Sequence, residues 1–190
     1  MCPVRSVTYV SGRSSESSGQ VDFIADGLIG GRHLRCLTIV GDCTRECLAI
    51  EVDTSLPGIR PQAVHDRLAD TRGLPQSTTV DNGPEFESKV LDQWSYRAGV
   101  HLPFIRPGKS NENACMESIS GKFRDECLNE HWFIRLAHAR SIIEAWRVEY
   151  NTARSRSSLG IQTPQEFTER KPANDDRQAF LPADSNAIPD

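Results

Sequence analysis

Residues 21–28 read VDFIADGL and follow the period-2 pattern of a β-strand. Odd positions from Val21 to Ala25 point to one side of the extended chain, and even positions from Asp22 to Asp26 point to the other. A carboxylate between apolar neighbours in such a strand loses hydration on burial unless a cation or strong hydrogen-bond donors compensate it. Asp22 is therefore the first candidate functional residue.

Two further strand-like runs follow a turn at Gly30 and Gly31. They are HLRCLTIV at 33–40 and ECLAIEV at 46–52, separated by GDCTR. Because short links join the three strands, we predict an antiparallel meander.

The periodicity then changes. Val64 and Leu68, with polar residues between them, predict a helix that ends before Gly73 and Pro75. The run QSTTV that follows predicts a short buried strand, and this strand places Asp81 at its end.

The second half of the chain predicts a helix over 88–98, a strand over 100–105 and a long helix within 111–130. Another helix, over about 136–150, closes the core. We therefore predict an α/β fold with a mixed five-stranded sheet flanked by helices.

Composition divides the chain into a core and two ends. Residues 1–19 are rich in Ser and Gly towards their end and predict a flexible leader, and residues 168–190, with scattered Pro and charges, predict a disordered tail. The catalytic core is expected over 20–167.

Three carboxylates on separate predicted elements are the candidate catalytic and metal-binding residues: Asp22, Asp81 and Glu117. Converging carboxylates repel each other, and Mg²⁺ or Mn²⁺ is the usual counterion because both prefer oxygen ligands. Singly, Asp22 also fits an edge-strand charge, Asp81 a turn residue and Glu117 a solvated helix position. On the predicted long helix, Glu117 shares one face with Gly121 and Arg124, so a nucleic-acid backbone could approach there.

Bulk properties exclude several classes of protein. No run of about 18 apolar residues could span a bilayer and no secretory signal is recognisable, so we expect a soluble, cytoplasmic protein. The six cysteines form no CxxC pair, which favours buried free thiols over zinc or disulfides, and the histidines lack metal-ligand spacing.

Motifs for zinc proteases, serine hydrolases and phosphate loops are missing. The net charge of −4 argues against DNA binding, although 135–156 holds five arginines that could form a local basic patch.

Four stretches together resemble the transposases of bacterial insertion sequences related to retroviral integrases. They are VDNGPEF, FIRPGKSNENACMES, FRDECLNEHWF and WRVEYNTARSRSSLGIQTPQEF. The 35 residues between Asp81 and Glu117 match the spacing of that family's DDE triad. Differences from the family occur at Ser118–Ser120, at Ser155–Arg156 and at 41–43.

The resemblance implies a ribonuclease-H-like fold and metal-dependent DNA cleavage and strand transfer in transposition, with two Mg²⁺ or Mn²⁺ ions bound by Asp22, Asp81 and Glu117. It also implies DNA contacts, for which the candidates are Lys109, Lys122, Arg124, Arg154 and Arg156. Asn82 and Asn113 are expected to orient the metal-binding carboxylates by hydrogen bonds. Alternatively, they form a turn and a helix cap.

The expected partners are DNA (the element ends and the target), further copies of the chain and a separate helix-turn-helix recognition subunit, because residues before Gln20 do not resemble the upstream part of the family. The expected location is the bacterial cytoplasm, at the nucleoid. Two alternatives remain open: a truncated, inactive remnant that only binds DNA, and a hydrolytic nuclease of the same fold that never joins strands.

Overall fold

A computed structural model of the chain describes residues 18–81, 89–105 and 114–170. This part of the chain forms four strands and five α-helices: β1 Ser18–Gly27, β2 His33–Gly41, β3 Cys47–Asp53, α1 Ile59–Arg72, β4 Ser77–Val80, α2 Lys89–Ala98, α3 Ala114–Phe123, α4 Leu136–Thr152 and α5 Pro164–Arg170. A π-helical segment, Arg124–Leu128, continues α3 directly. The predicted leader and tail lie mostly outside the described residues, and β1 begins at Ser18, two residues before the predicted core.

The sheet has the strand order β3-β2-β1-β4. β1 pairs antiparallel with β2 and β2 pairs antiparallel with β3, so the predicted meander is confirmed, whereas β4 runs parallel to β1 and makes the sheet mixed. Asp22 therefore lies on a strand that is paired on both sides, and the alternative interpretation of this residue as an edge-strand charge is wrong.

The predicted fifth strand, over 100–105, does not form as a continuous strand, so the described sheet has four strands rather than five, and residues 101–105 lie beside β4. His101 N–H donates to Gln76 O (2.9 Å), and Ile105 N–H donates to Val80 O (3.1 Å). Pro103, which lies between them, has no N–H to donate, so the regular pairing reduces to two isolated parallel bridges.

Apolar side chains pack against both faces of the sheet. One face carries α3 and α4 and buries Ile24, Cys36, Met116, Phe123 and Ile143 among others. The opposite face carries α1 and α2. Even-numbered positions of β1 face α3, as the alternation of β1 predicts, and this includes Asp22.

The helix α5 has no counterpart among the predicted elements, and its Pro164–Arg170 span runs past the predicted start of the tail. A capping box starts it: Glu166 N–H donates to Thr163 Oγ1 (3.2 Å), and Thr163 N–H donates to Glu166 Oε2 (2.9 Å). Pro164 follows the cap at the first helical position, which favours a helix start.

Cys36, Cys47 and Cys127 are buried free thiols, as predicted, and burial raises the pKa of each to about 12. His65 departs from the expectation of exposed or interfacial histidines. It is buried and stacks on Trp94 at 4.8 Å between ring centroids, and burial lowers its pKa to about 4. Within the described residues, no helix combines the length and apolar character needed to cross a membrane.

Candidate active site

The register of β1 and β4 brings two of the three candidate carboxylates together. Val21 is aligned with Val80 across the parallel pair, so the next residues along the two chains, Asp22 and Asp81, are neighbours at the end of β4. Adjacent strands lie about 4.8 Å apart, and the charge on Asp81 raises the pKa of Asp22. The pair is therefore a concentration of negative charge on the face that α3 covers.

Two hydrogen bonds fix α3 against β1. Met116 N–H donates to the Gln20 side-chain oxygen (3.1 Å), and the Ser120 hydroxyl donates to Asp22 Oδ2 (2.8 Å). Glu117 lies between these two anchor points, in the first turn of α3, and its side chain is exposed. The helix thus holds the backbone of Glu117 beside β1 next to Asp22.

The environment of Asp22 disfavours its charge. Burial raises its pKa most, and Asp81 raises it further, whereas the Ser120 hydroxyl, the Phe23 backbone and the charge of Arg124 lower it; the net pKa lies above the ordinary 3.8. Asp22 is also aligned with Thr38 of β2, whose fully buried hydroxyl has no hydrogen-bond partner within 18–81, 89–105 and 114–170. A site with a desolvated carboxylate, a like charge beside it and an unsatisfied hydroxyl is suited to a bound cation with oxygen ligands.

The three candidate carboxylates are not arranged as a complete set of metal ligands in this structure. Among residues 18–81, 89–105 and 114–170, no three His, Cys, Asp or Glu residues are close enough together to hold a metal ion. Asp22 and Asp81 fit a divalent cation by their charge and burial, whereas Glu117 points to solvent. The third ligand would have to be supplied by a rotation of the Glu117 side chain, whose backbone already lies beside the pair.

The predicted DNA contacts are placed at different sites. Arg124 is exposed and near enough to Asp22 to lower its pKa, on the same side of the helix as Glu117. An added Cβ at Gly121 would meet no atom within 4 Å, so the surface between Glu117 and Arg124 is open. Lys109, Asn82 and Asn113 lie outside the described residues.

Lys122, Arg154 and Arg156 gather on a different flank of α3. Burial lowers the pKa of Lys122, and the nearby charges of Arg156 and Arg154 lower it further. Arg154 forms ion pairs with Glu126 and with Glu149, so part of its charge is already balanced within the chain.

The predicted basic patch over 135–156 does not form as one surface. Arg140 donates to Val52 O (2.8 Å) and pairs with Asp53, and Arg147 donates to Cys47 O (3.1 Å) and pairs with Glu144. Both arginines therefore bind β3, which is the outer strand of the described sheet, and their seven-residue spacing reflects that contact.

The contacts of Gln20 and Ser120 were not predicted from the sequence. A weak signal existed for Ser120, because it lies one helical turn after Glu117 and is therefore on a neighbouring position of the same helix face. No pattern in the sequence indicates that Gln20 would bind the backbone of α3.

Comparison with known families gives a direct match. A family model described as "Integrase core domain" matches residues 14–110, and a second model with the same description matches residues 98–164.

Two curated relatives are proteins of bacterial insertion elements. The uncharacterized 31.7 kDa protein of insertion element IS407, from Burkholderia multivorans, is 48% identical over 159 residues, which is 84% of this chain and 57% of the relative. The uncharacterized 39.2 kDa protein of IS476, from Xanthomonas euvesicatoria, is 45% identical over 147 residues, which is 77% of this chain and 42% of the relative. The chain thus spans about half the length of these relatives.

Solved structures agree on the fold. The catalytic core domain of BIV integrase superposes with a TM-score of 0.60 at 15% identity, covering 81% of this chain and 94% of that one. The HTLV-2 integrase catalytic core domain in complex with magnesium, in a dimeric form, gives 0.55 at 14% identity, covering 80% and 95%. The predicted ribonuclease-H-like fold is confirmed.

Proposed function

This chain belongs to the integrase core domain family, and we propose that it is the catalytic core of an insertion-sequence transposase that cuts a DNA strand and joins the freed 3′-hydroxyl to target DNA. The observation that carries the proposal is the Asp22 and Asp81 pair, which the sheet register places side by side under α3. The similarity to the IS407 and IS476 proteins supports the biological setting.

In the proposed reaction, Asp22, Asp81 and Glu117 hold divalent cations, with Mg²⁺ or Mn²⁺ favoured by the all-carboxylate ligand set. The cations, two of them in the proposed scheme, would activate the attacking oxygen and stabilise the leaving oxygen. Both steps are in-line displacements at phosphorus: water replaces the sugar 3′-oxygen in the cut, and that 3′-hydroxyl replaces another 3′-oxygen in the target.

The residues around the triad have separate tasks in this proposal. Ser120 fixes one oxygen of Asp22 through its 2.8 Å hydrogen bond, which leaves the other oxygen, Oδ1, for a cation. Arg124 and the open surface at Gly121 contact the DNA backbone near the cut. Lys109, Lys122, Arg154 and Arg156 are proposed as further phosphate contacts, and Asn82 and Asn113 as residues that orient the carboxylates.

We also propose partners for the chain. Joining two element ends to one target requires at least two active sites, so the chain would act as a homo-oligomer. The HTLV-2 integrase cores in dimeric and trimeric forms are consistent with this proposal. A helix-turn-helix region for recognition of the element ends would be supplied by a separate subunit.

The proposed function is tested by strand cleavage and joining on supercoiled plasmid with Mn²⁺. We expect nicked and joined products from the wild type. With Glu117→Gln we expect the rate of product formation to fall by at least about 100-fold, because removing the charge of a metal ligand weakens the binding of both ions. Glu130→Gln is the matched control, since Glu130 is also exposed but lies beyond the π-helical segment. Activity retained by Glu117→Gln would contradict the proposal, and nicked products without joined ones would favour a hydrolytic nuclease.

A further inference from the structure

A cleft of about 190 Å³ lies on a second flank of α3. Its walls include two arginines, two serines and one aromatic ring: Arg45, Arg156, Ser118, Ser158 and Tyr150. Residues of an α-helix are about 100° apart, so Ser118 is turned away from Glu117 by about that angle. The cleft is therefore adjacent to the Asp22 site but does not share its lining residues.

Arg156 has donor atoms without an acceptor among the described residues. Its Nε and Nη2 are buried and have no hydrogen-bond partner there, and its Cζ lies 4.2 Å from the centroid of the Tyr150 ring. Buried guanidinium N–H groups that lack an acceptor are unfavourable, so such groups are normally satisfied by a ligand or a carboxylate. No carboxylate pairs with Arg156 in the part of the chain that the structure describes.

The backbone holds this guanidinium in place. Arg156 N–H donates to Gln162 O (2.8 Å), and Arg156 O accepts from Leu159 N–H (3.0 Å) and from Ile161 N–H (2.8 Å). Gly160 and Ile161 both adopt positive φ, at 66° and 63°, to close this loop. A β-branched residue in that region is strained, and the strain is tolerated in a loop that fixes Arg156 with three hydrogen bonds.

Arg45 approaches the cleft from the turn between β2 and β3. Its guanidinium is hydrogen-bonded to the Cys115 side chain of α3, and that contact raises its pKa. Asp42 is the nearby carboxylate whose charge acts on both Arg45 and Cys115. Since Lys122 also lies within reach of the charge of Arg156, cations outnumber carboxylates around the cleft.

We propose that Arg45 and Arg156 bind one phosphodiester group of DNA in this cleft, with the Ser118 and Ser158 hydroxyls as further donors. A phosphodiester has one negative charge and two free oxygens, which suits two guanidinium groups from different elements. The inference rests on the proposed function, because it identifies DNA as the source of the phosphate. It adds a second anchoring point on α3, on the flank that does not face the carboxylates.

The test measures binding of a short fluorescein-labelled duplex by anisotropy in EDTA, where no strand is cut, over about 50–200 mM KCl. Arg45→Asn removes the charge and keeps a residue that tolerates the positive φ of 57°. We expect affinity to fall about 10-fold and the slope of log affinity against log salt to decrease by about 1. Arg97→Asn, on α2, is the control and should match the wild type.

Arg156→Lys provides a second, independent variant. It keeps the charge but loses the planar donor fork and the stacking on Tyr150, so we expect weaker binding with a nearly unchanged salt slope. Thermal unfolding of each variant verifies that it folds. If Arg156→Lys does not fold, the binding of duplex by Arg45→Asn is sufficient to test the proposed phosphate site.

The outcomes separate the two proposals. Wild-type affinity and salt slope in Arg45→Asn would overturn the phosphate site, as would a wild-type chain that binds no duplex over the whole series. If Arg45→Asn binds like the wild type while the wild type cuts and joins plasmid, only the phosphate site fails. If Arg45→Asn loses binding while the wild type neither cuts nor joins, only the proposed catalytic function fails.

Discussion

The environment of Asp22 opposes the negative charge that the proposed metal site requires. The side chain lies on a strand with neighbours on both sides, next to a second carboxylate and opposite a buried hydroxyl without a partner. Burial and the charge of Asp81 disfavour the negative charge of Asp22, and the Ser120 hydroxyl, the Phe23 backbone and Arg124 offset them only in part because the net pKa is still raised. In the proposed function, a bound cation would offset this unfavourable charge.

A prediction follows for Asp22→Asn in metal-free buffer. Because folding raises the pKa of Asp22 above that of the unfolded chain, the Asp22 contribution to stability is present below the ordinary pKa of 3.8 and is lost as pH rises through the folded-state value. At neutral pH we expect Asn to raise the melting temperature by about 2–4 °C, which corresponds to about 1 kcal/mol for a domain of this size. Melting curves of the wild type and of Asp22→Asn, recorded in EDTA at several pH values from pH 4 to pH 8, measure this difference in melting temperature.

The same variant should lose the response to metal. Mn²⁺ should stabilise the wild type and not Asp22→Asn, since a ligand stabilises only the state that binds it. A lower melting temperature for Asp22→Asn at neutral pH in EDTA would show that burial does not disfavour the Asp22 charge.

The sequence was sufficient to predict which elements carry the three carboxylates, but not how their side chains are arranged in space. Alternation along β1 and the short run QSTTV were sufficient to predict Asp22 within a strand and Asp81 at the end of another, whereas the parallel pairing of β4 with β1 that makes them neighbours was not predicted. The exposed Glu117 side chain and the contacts of Gln20 and Ser120 depend on how α3 docks against the sheet. Docking angles arise from packing between distant segments, which local periodicity does not encode.

At the scale of elements, one helix secures the outer strand of the sheet. Three side chains of α4 bind the backbone of β3: Arg140 at Val52, and Arg147 and Asn151 at Cys47. Asn151 both accepts from Cys47 N–H (2.9 Å) and donates to Cys47 O (2.9 Å), and this amide is buried. Two carbonyls of the outer strand, Cys47 O and Val52 O, are thereby satisfied from within the chain, which also makes them unavailable to other strands.

Asn151→Ala is therefore expected to destabilise the chain by about 2–4 kcal/mol, because it removes two hydrogen bonds and leaves the buried Cys47 N–H without its acceptor, while Cys47 O keeps its bond from Arg147. Chemical denaturation followed by circular dichroism measures the change. Asn129→Ala, at an exposed position after the π-helical segment, should alter stability by less than about 0.5 kcal/mol. Equal stability of the two variants would mean that α4 is held to β3 by its apolar face alone.

The elements that the sequence missed have local physical reasons. The capping box Thr163 to Glu166 was a readable signal for α5, but no element was predicted over these residues. Pro103 interrupts the fifth strand by removing one donor. The π-helical turn over Arg124–Leu128, where Asn129 N–H donates to Arg124 O (2.8 Å), has the same apolar periodicity as an ordinary helix and so could not be distinguished from one.

At the scale of the whole molecule, the two cores have different tasks. The core under α1 and α2 contains no candidate catalytic residue, whereas the core under α3 and α4 underlies Asp22 and the arginine cleft. Both of the proposed DNA-binding regions therefore belong to α3 and the segments that contact it. A chain with a net charge of −4 can bind DNA only where such local arrangements outweigh the overall repulsion.

This balance predicts an unusual response to magnesium. Divalent cations ordinarily weaken DNA binding by screening phosphates, but here they would also neutralise the repulsion between the DNA backbone and the pair Asp22 and Asp81. One unit charge at about 4 Å in water contributes about 1 kcal/mol, so we expect Mg²⁺ to tighten duplex binding about 5-fold over EDTA at equal ionic strength. Asp81→Asn should remove most of that gain and, since one negative charge is gone, should bind more tightly than the wild type in EDTA. If Mg²⁺ weakens binding to the wild type and to Asp81→Asn alike, the carboxylate pair does not face the DNA, and the electrostatic argument for placing the scissile phosphate beside Asp22 is wrong.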